Sequence, residues 1–336
     1  MSISLFEGVE QINIYLPGSM TENEYILSAN NLYITYCSSV TVIILDMKSK
    51  RIKNIINKSR DNFIKLIALN KGSKSQLAIF YDYEIIIYDI RQDQNLFLLT
   101  KNDVIFMEFN NDNKIIVLTS KGELSYFDIF STLTNQNEKY ELKNIKTKGN
   151  ILYVKWYPFD SSSLVYVNEN NYIYYLDIND SRKNSYIEII SDDELDSKMK
   201  ITCIEWYDID ENYHYLLVGT STSLIYLIDF RINNPYIIQI FERTGNSIKN
   251  LFWLNFQPGS FISINKNTSK FYKWNVSKKN HNDIKRIGNL SINSCVKADK
   301  YHILFNDING ILFLYNKKIV NLLFQLIHHI LKLYLI

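Results

Sequence analysis

Four residue types are scarce in this chain of 336 residues, which has 5 His, 3 Cys, 4 Pro and 10 Gly. Five histidines leave little material for a metal centre or a histidine base, so no metal and no other cofactor are expected. The glycines form none of the patterns that cradle a phosphate or a nucleophile. There is no Gly-x-Gly-x-x-Gly, no Gly-Lys-Ser phosphate loop, no Gly-x-Ser-x-Gly, and no His-Glu-x-x-His. The cysteines, Cys37, Cys203 and Cys295, are odd in number, far apart and without Cys-x-x-Cys. They read as three buried, reduced thiols inside strands, which suits a reducing compartment. A surplus of one charge is also missing. The 37 basic and 35 acidic residues give a net charge of +2, too balanced to predict nucleic-acid binding. No apolar stretch free of polar residues reaches spanning length, so no transmembrane span is expected. The first ten residues lack a basic region followed by an apolar core, so no secretory leader is expected either. These absences point away from an enzyme and towards the cytoplasm, with the nucleus left open.

What is present favours strands. The chain holds 25 Tyr and 18 Phe, and 46% of it is hydrophobic against 21% charged. One pattern recurs: an apolar run ending in a large apolar residue and then Asp or Asn. It occurs at Leu45-Asp46, Tyr88-Asp89, Phe127-Asp128, Leu176-Asp177, Ile228-Asp229, Trp274-Asn275 and Tyr315-Asn316. A recurrence of this length means one supersecondary unit used seven times. Each unit reads as four short strands, so the fold class is all-β. The expected architecture is a seven-bladed β-propeller of four-stranded antiparallel blades over residues 1–318. The unit of residues 151–190 shows this best, with strands expected at 151–156, 164–167, 172–178 and 186–190.

Inner strands are expected at 63–69, 104–109, 151–156, 201–206, 248–253 and 292–298. Four of them end in Phe109, Trp156, Trp206 and Trp253, read as packing between units. Third strands end in the Asx residues, among them Asp89, Asp128, Asp177 and Asp229. Their side chains are suited to binding turn amides, so the repeated carboxylates are structural and not a catalytic set. Glu108, Lys155 and Glu205 each precede an aromatic residue. Alternation turns them to the other face, where they form a ring of charges near the channel or pair with one another.

These repeats resemble the WD-repeat family over residues 25–316. Trp156-Tyr157-Pro158 and, more weakly, Trp206-Tyr207-Asp208 resemble the end of the family's inner strand. Trp274-Asn275 resembles the Trp-Asp that closes its third strand. Asp307 to Gly310 and Lys121-Gly122 resemble the turn between second and third strands. A narrower likeness, over 248–280, is to a late repeat of the WD repeat-containing protein 17 type. The Gly-His that opens many family repeats is missing, so the family's buried Asp–His–Ser–Trp network cannot form in most units. The resemblance implies a non-catalytic scaffold that recruits other proteins through its rim loops. The loops between second and third strands carry Tyr81, Tyr83, Lys121, Asn170 and Lys266; Tyr81 and Tyr83 lead, because tyrosine offers large contact area with few rotors. The alternative is an enzyme or small-ligand propeller with a central-channel site at Glu108, Lys155 and Glu205.

The acidic run from Ser191 to Asp196 reads as a solvated connector, with phosphorylation at Ser191 or contact with a basic partner as its functional readings. The basic run Lys278-Lys279-Asn280-His281, with Lys285-Arg286, falls between the expected third and fourth strands of the sixth unit; it reads as solubilising and, without interleaved aromatics, is weak evidence for nucleic acid. Residues 10–16 alternate and suit an outer strand that closes the last unit within 1–17. Residues 319–336 are apolar at helical spacing. They read as the first helix of a following region, a truncated end, or an interfacial membrane helix.

Overall fold

Short segments rich in Ile, Val, Leu, Tyr and Phe pair into antiparallel hairpins throughout a computed structural model of the chain. The structure describes residues 9–12 and 27–316, apart from 39, 58–62, 73–74, 93, 101, 130–141, 191–198, 232–233, 242–243, 256, 267–269, 287–291, 300 and 308–311. Ser191 and residues 319–336 therefore lie outside the described residues.

Strand β1 (Val9–Ile12) comes first in the chain. The first sheet follows, with β2 (Leu27–Ala29), β3 (Tyr33–Ser38), β4 (Thr41–Asp46) and β5 (Ile52–Asn57). The second has β6 (Leu66–Leu69), β7 (Gln76–Tyr81), β8 (Glu84–Asp89) and β9 (Gln94–Leu99). The third has β10 (Val104–Phe109), β11 (Lys114–Thr119), β12 (Leu124–Asp128) and β13 (Lys143–Ile145). The fourth has β14 (Ile151–Trp156), β15 (Ser163–Asn168), β16 (Tyr172–Asp177) and β17 (Ser185–Glu188), with a 3-10 turn at Ser181–Lys183. The fifth has β18 (Ile201–Trp206), β19 (Tyr215–Thr220), β20 (Ile225–Asp229) and β21 (Tyr236–Phe241). The sixth has β22 (Ile248–Trp253), β23 (Ser260–Asn265), β24 (Lys270–Asn275) and β25 (Lys278–Arg286). The last has β26 (Ile292–Lys297), β27 (His302–Asp307) and β28 (Leu312–Asn316). Its fourth strand is β1, which pairs antiparallel with β28 from Val9↔Tyr315 to Ile12↔Leu312. Seven four-stranded sheets are thus seen among the described residues, one built from both ends of the chain.

The innermost strands touch in ring order. Strands β2, β6, β10, β14, β18 and β22 are successive neighbours, and β26 meets β2. Between β22 and β26 the Lys249 ammonium donates to the Ile292 carbonyl at 3.5 Å. The ring is closed, and the molecule is a β-propeller.

The core is divided into layers, each between two consecutive sheets. Val165, Ile173, Trp206, Leu216 and Ile228 form the layer between the fourth and fifth sheets. Leu217, Phe241, Trp253, Phe261 and Trp274 form the next, and Leu27, Ile34, Leu304 and Leu314 join the last sheet to the first. A middle strand covered on both faces has no solvent side, so all six residues of β15 and of β23 are buried. Each sheet packs only on its neighbours, which lets a chain of this length dispense with a single central core.

Two expectations change here. The basic run Lys278–Arg286 is not a loop: it is the outer strand β25, hydrogen-bonded to β24. Outer strands pair through the main chain alone, so polar residues are tolerated there. Of the three cysteines, Cys37 and Cys295 are buried and Cys203 is partly exposed. Cys203 follows a β-bulge that turns this part of β18 towards the central cavity.

Candidate functional site

The seven inner strands surround a cavity of about 230 Å³ on the ring axis. Five of them, β10, β14, β18, β22 and β26, are bulged after their first residue. The bulge leaves the second residue without a cross-strand partner and re-aims it. Thr202 and Lys249, at this position, reach the next sheet instead: the Thr202 hydroxyl donates to the Ile248 carbonyl at 2.6 Å, as Lys249 does to Ile292.

Glu108, Lys155 and Glu205 all line the cavity. The Lys155 ammonium is paired with the Glu205 carboxylate. Glu108 accepts the backbone N–H of Trp156 at 3.1 Å. Burial pushes the Glu108 carboxyl above its usual range, opposed by Lys71 and Lys155. Burial would lower Lys155, but Glu205 and Glu108 outweigh it and hold the ammonium charged. Lys297, also in the wall, is paired with Asp208. The Cys203 thiol is pushed up to about 12 by burial, so it is a poor nucleophile at neutral pH. The wall therefore presents fixed ion pairs, and no cluster of three or more metal-ligating side chains occurs among the described residues.

At one end of the strands, the turns between second and third strands meet the segments that enter the inner strands. Main-chain bonds hold them there: Ser120 N–H donates to Asp103, Glu169 to Asn150, Ser221 to Lys200 and Lys266 to Ser247, at 2.8–2.9 Å. In four successive sheets this turn enters the left-handed region, at Tyr83 (φ 64°), Gly122 (φ 77°), Asn171 (φ 62°) and Ser223 (φ 66°). Glycine occupies it only once, although an L side chain there is strained. Tyr83 is 53% exposed, and Lys121, Asn170 and Lys266 are exposed as well. Tyr81 differs. Its ring is half-buried against the layer between the first two sheets, and burial, then the Glu84 carboxylate, raises its hydroxyl to about 12.

The opposite end carries the first-to-second and third-to-fourth connections. Here the Asx side chains that close third strands bind turn amides. Asp46 accepts from Ser49 N–H, Asp89 from Arg91 and Gln92, Asp177 from Asn179 and Asp180, Asp229 from Arg231, and Asn275 from Ser277. Asp128 stands at the same place, at the end of β12. Trp156, Trp206, Trp253 and Trp274 are buried between sheets. The Trp156 indole N–H donates to the Glu108 carbonyl at 3.2 Å, and that of Trp274 to the Ser263 hydroxyl at 2.9 Å.

Two solved structures with this arrangement put it among known folds. A chain in the crystal structure of a mitotic checkpoint complex superposes with a TM-score of 0.70 at 12% identity, covering 92% of this chain and 90% of that one. The β-propeller domain of Cps50 (Swd1) from Myceliophteria thermophila gives 0.69 at 10% identity, covering 92% and 99%. The fold is the β-propeller. No protein-family model and no curated protein sequence matches the chain. The likeness therefore lies in the backbone, and at these identities it speaks for the fold alone.

Two features of this propeller were not read from its sequence. One is a relay of buried asparagines after successive inner strands. The Asn30 side-chain carbonyl accepts from Leu32 and Tyr33 N–H, while its amide donates to the Asn70 carbonyl in the next sheet. Asn70 repeats this with Gly72 N–H and the Asn113 side chain, and Asn110 with Asp112 N–H and the Ser161 carbonyl. The other is an aromatic groove on the same end, lined by Phe159, Tyr207, Tyr213, Tyr215 and Trp253. The spacing Asn30, Asn70, Asn110 was available in the sequence but lost among the many turn asparagines. The groove draws on three repeats and has no local signature.

Proposed function

We infer that the protein is a non-catalytic scaffold that recruits other proteins through rim turns. The observation that carries this reading is the rim around Tyr83. A large aromatic side chain stands half out in solvent on a left-handed backbone position, and Lys121, Asn170 and Lys266 are exposed on the corresponding turns of three other sheets at the same end. Strained backbone positions of this kind cluster at functional sites. One solved structure of the same fold is described as part of a multiprotein complex, which agrees with such a role. Tyr81 is half-buried against the layer between the first two sheets and so offers less free surface than Tyr83. The test is a pull-down from the protein's own cells. Tyr83→Ala should lose a partner that the unaltered chain retains, and Tyr81→Ala should lose it less completely. An unchanged set of co-purifying proteins in both variants would sink the reading.

A second reading, a small-ligand site in the channel, is favoured by one observation: Glu108, Lys155 and Glu205 do line a single cavity. It is tested by thermal-shift screening of small carboxylates, amines and amino acids. A compound that raises the melting temperature of the parent chain but not of Lys155→Met would support it. A flat response across the screen would remove it.

No helix among the described residues is long and apolar enough to cross a membrane. The partners are proposed to be proteins, met in the cytoplasm or nucleus. Ser191 remains a proposed phosphorylation site on the acidic connector between the fourth and fifth sheets.

A further inference from the structure

The aromatic groove lies at the end of the strands opposite the Tyr83 turns. Its walls come from the β14–β15, β18–β19 and β22–β23 connections, and it encloses about 780 Å³, a size typical of ligand clefts. The floor is Tyr207 and Trp253, both buried, edge to face with ring centroids 4.9 Å apart. Tyr213 and Tyr215 stand beside them, 5.2 Å apart, and Phe159 faces from the fourth sheet. Tyr213 and Phe159 are 39% and 38% exposed, so large aromatic surface meets water here. Among the described residues that line the groove, the only charged ones are carboxylates, Asp210 and Glu211.

The rings already hold one cation. The Arg231 guanidinium lies 5.8 Å from the Tyr213 centroid and 5.4 Å from that of Tyr215. Its charge is taken up by the Asp229 carboxylate at 2.6–3.1 Å, which leaves Asp210 and Glu211 uncompensated by it. Aromatic faces and carboxylates favour the same kind of guest. A planar cation gains from the ring quadrupoles and from the charges together. An acidic segment would be repelled, and a purely apolar one would leave the carboxylates facing a low-dielectric surface.

We propose that this groove is a docking site for an arginine side chain on an exposed segment of a partner protein. The site stands on the groove alone and is independent of whether the Tyr83 rim binds anything.

The test uses the full chain and a fluorescein-labelled Gly-Arg-Gly-Arg-Gly peptide, followed by fluorescence anisotropy at low salt. The control peptide has citrulline, the neutral isostere, in place of both arginines. The arginine peptide should bind at least about tenfold more tightly than the citrulline peptide, and added salt should weaken it. The double substitution Asp210→Asn with Glu211→Gln, which preserves shape and turn hydrogen bonds, should remove about tenfold of the affinity. Tyr213→Ala should weaken binding in the same direction, and Tyr83→Ala should leave it unchanged. Equal binding of the citrulline peptide would overturn the proposal. So would an unaltered affinity in the double variant, a loss on Tyr83→Ala, or no anisotropy change at millimolar protein.

Discussion

Glu108 shows how one residue reports its surroundings. Its carboxyl faces the central cavity, where burial disfavours the charged form more than Lys71 and Lys155 favour it, so its pKa is raised. A raised folded-state pKa means that the stabilising contribution is present below the unfolded value, about 4.3. It is lost as pH rises through the folded value. Glu108→Gln keeps an acceptor for the Trp156 N–H and removes the charge. The variant should therefore melt higher than the parent at pH 7, and the gap should close as pH falls towards 4. A constant gap, or a lower melting temperature at pH 7, would show that Lys155 and Lys71 dominate instead. The side-chain identities at this position were readable in advance, because Glu108, Lys155 and Glu205 alternate with Phe109, Trp156 and Trp206. The pairing of Lys155 with Glu205, and not with Glu108, was not. It depends on which neighbouring sheet each side chain leans towards, and no spacing encodes that.

Strands that end in a large aromatic were legible with their bounds. Val104–Phe109, Ile151–Trp156, Ile201–Trp206 and Ile248–Trp253 stand where period-2 apolar spacing puts them. The first inner strand, Leu27–Ala29, was not foreseen, since three residues carry no periodicity. Lys278–Arg286 was misread because eight of its nine residues are polar, and a strand ladder forms through the main chain whatever the side chains. The bulges were invisible for a related reason: the extra residue is Ile105, Leu152, Thr202 or Lys249, with no common chemistry. Close approach between elements is equally silent in sequence. Gly219 in β19 looks like a weak point in a strand, yet a Cβ there would lie 2.7 Å from the Cys203 sulfur and 2.7 Å from the Ile248 side chain of the next sheet. Gly219→Ala should accordingly destabilise the fold by roughly 1–3 kcal/mol, as overpacking does. Equilibrium urea unfolding measures this, and a stabilised variant would show that β22 has room to retreat.

At the scale of the whole molecule, the sheet built from β26, β27, β28 and β1 decides whether the ring is sealed. The layer between the last and first sheets buries Leu304 and Leu314 against Ile34 and Leu27. Strand β1 gives β28 its outer partner, so its loss leaves a row of main-chain donors and acceptors open to other chains. Deleting residues 1–12 should produce concentration-dependent aggregates that the parent chain does not form, read by light scattering, while circular dichroism stays that of a β protein. A deletion variant that scatters no more than the parent would mean that the edge at β28 is protected in another way. That the repeating unit was legible from a recurring Asx after an apolar run, while the groove and relay were not, follows from the same architecture. Repetition leaves a periodic mark within each unit, whereas a site between units is assembled from positions about fifty apart.

The pairing of β1 with β28 also has a meaning in time. Residues 9–12 leave the ribosome about three hundred residues ahead of their partners at 312–315. At roughly 5–20 residues per second, strand β1 waits on the order of 15–60 s for the strand it belongs to. The six sheets between them can each close on arrival, but the seal comes last. Throughout that interval β1 is a strand with no sheet to join.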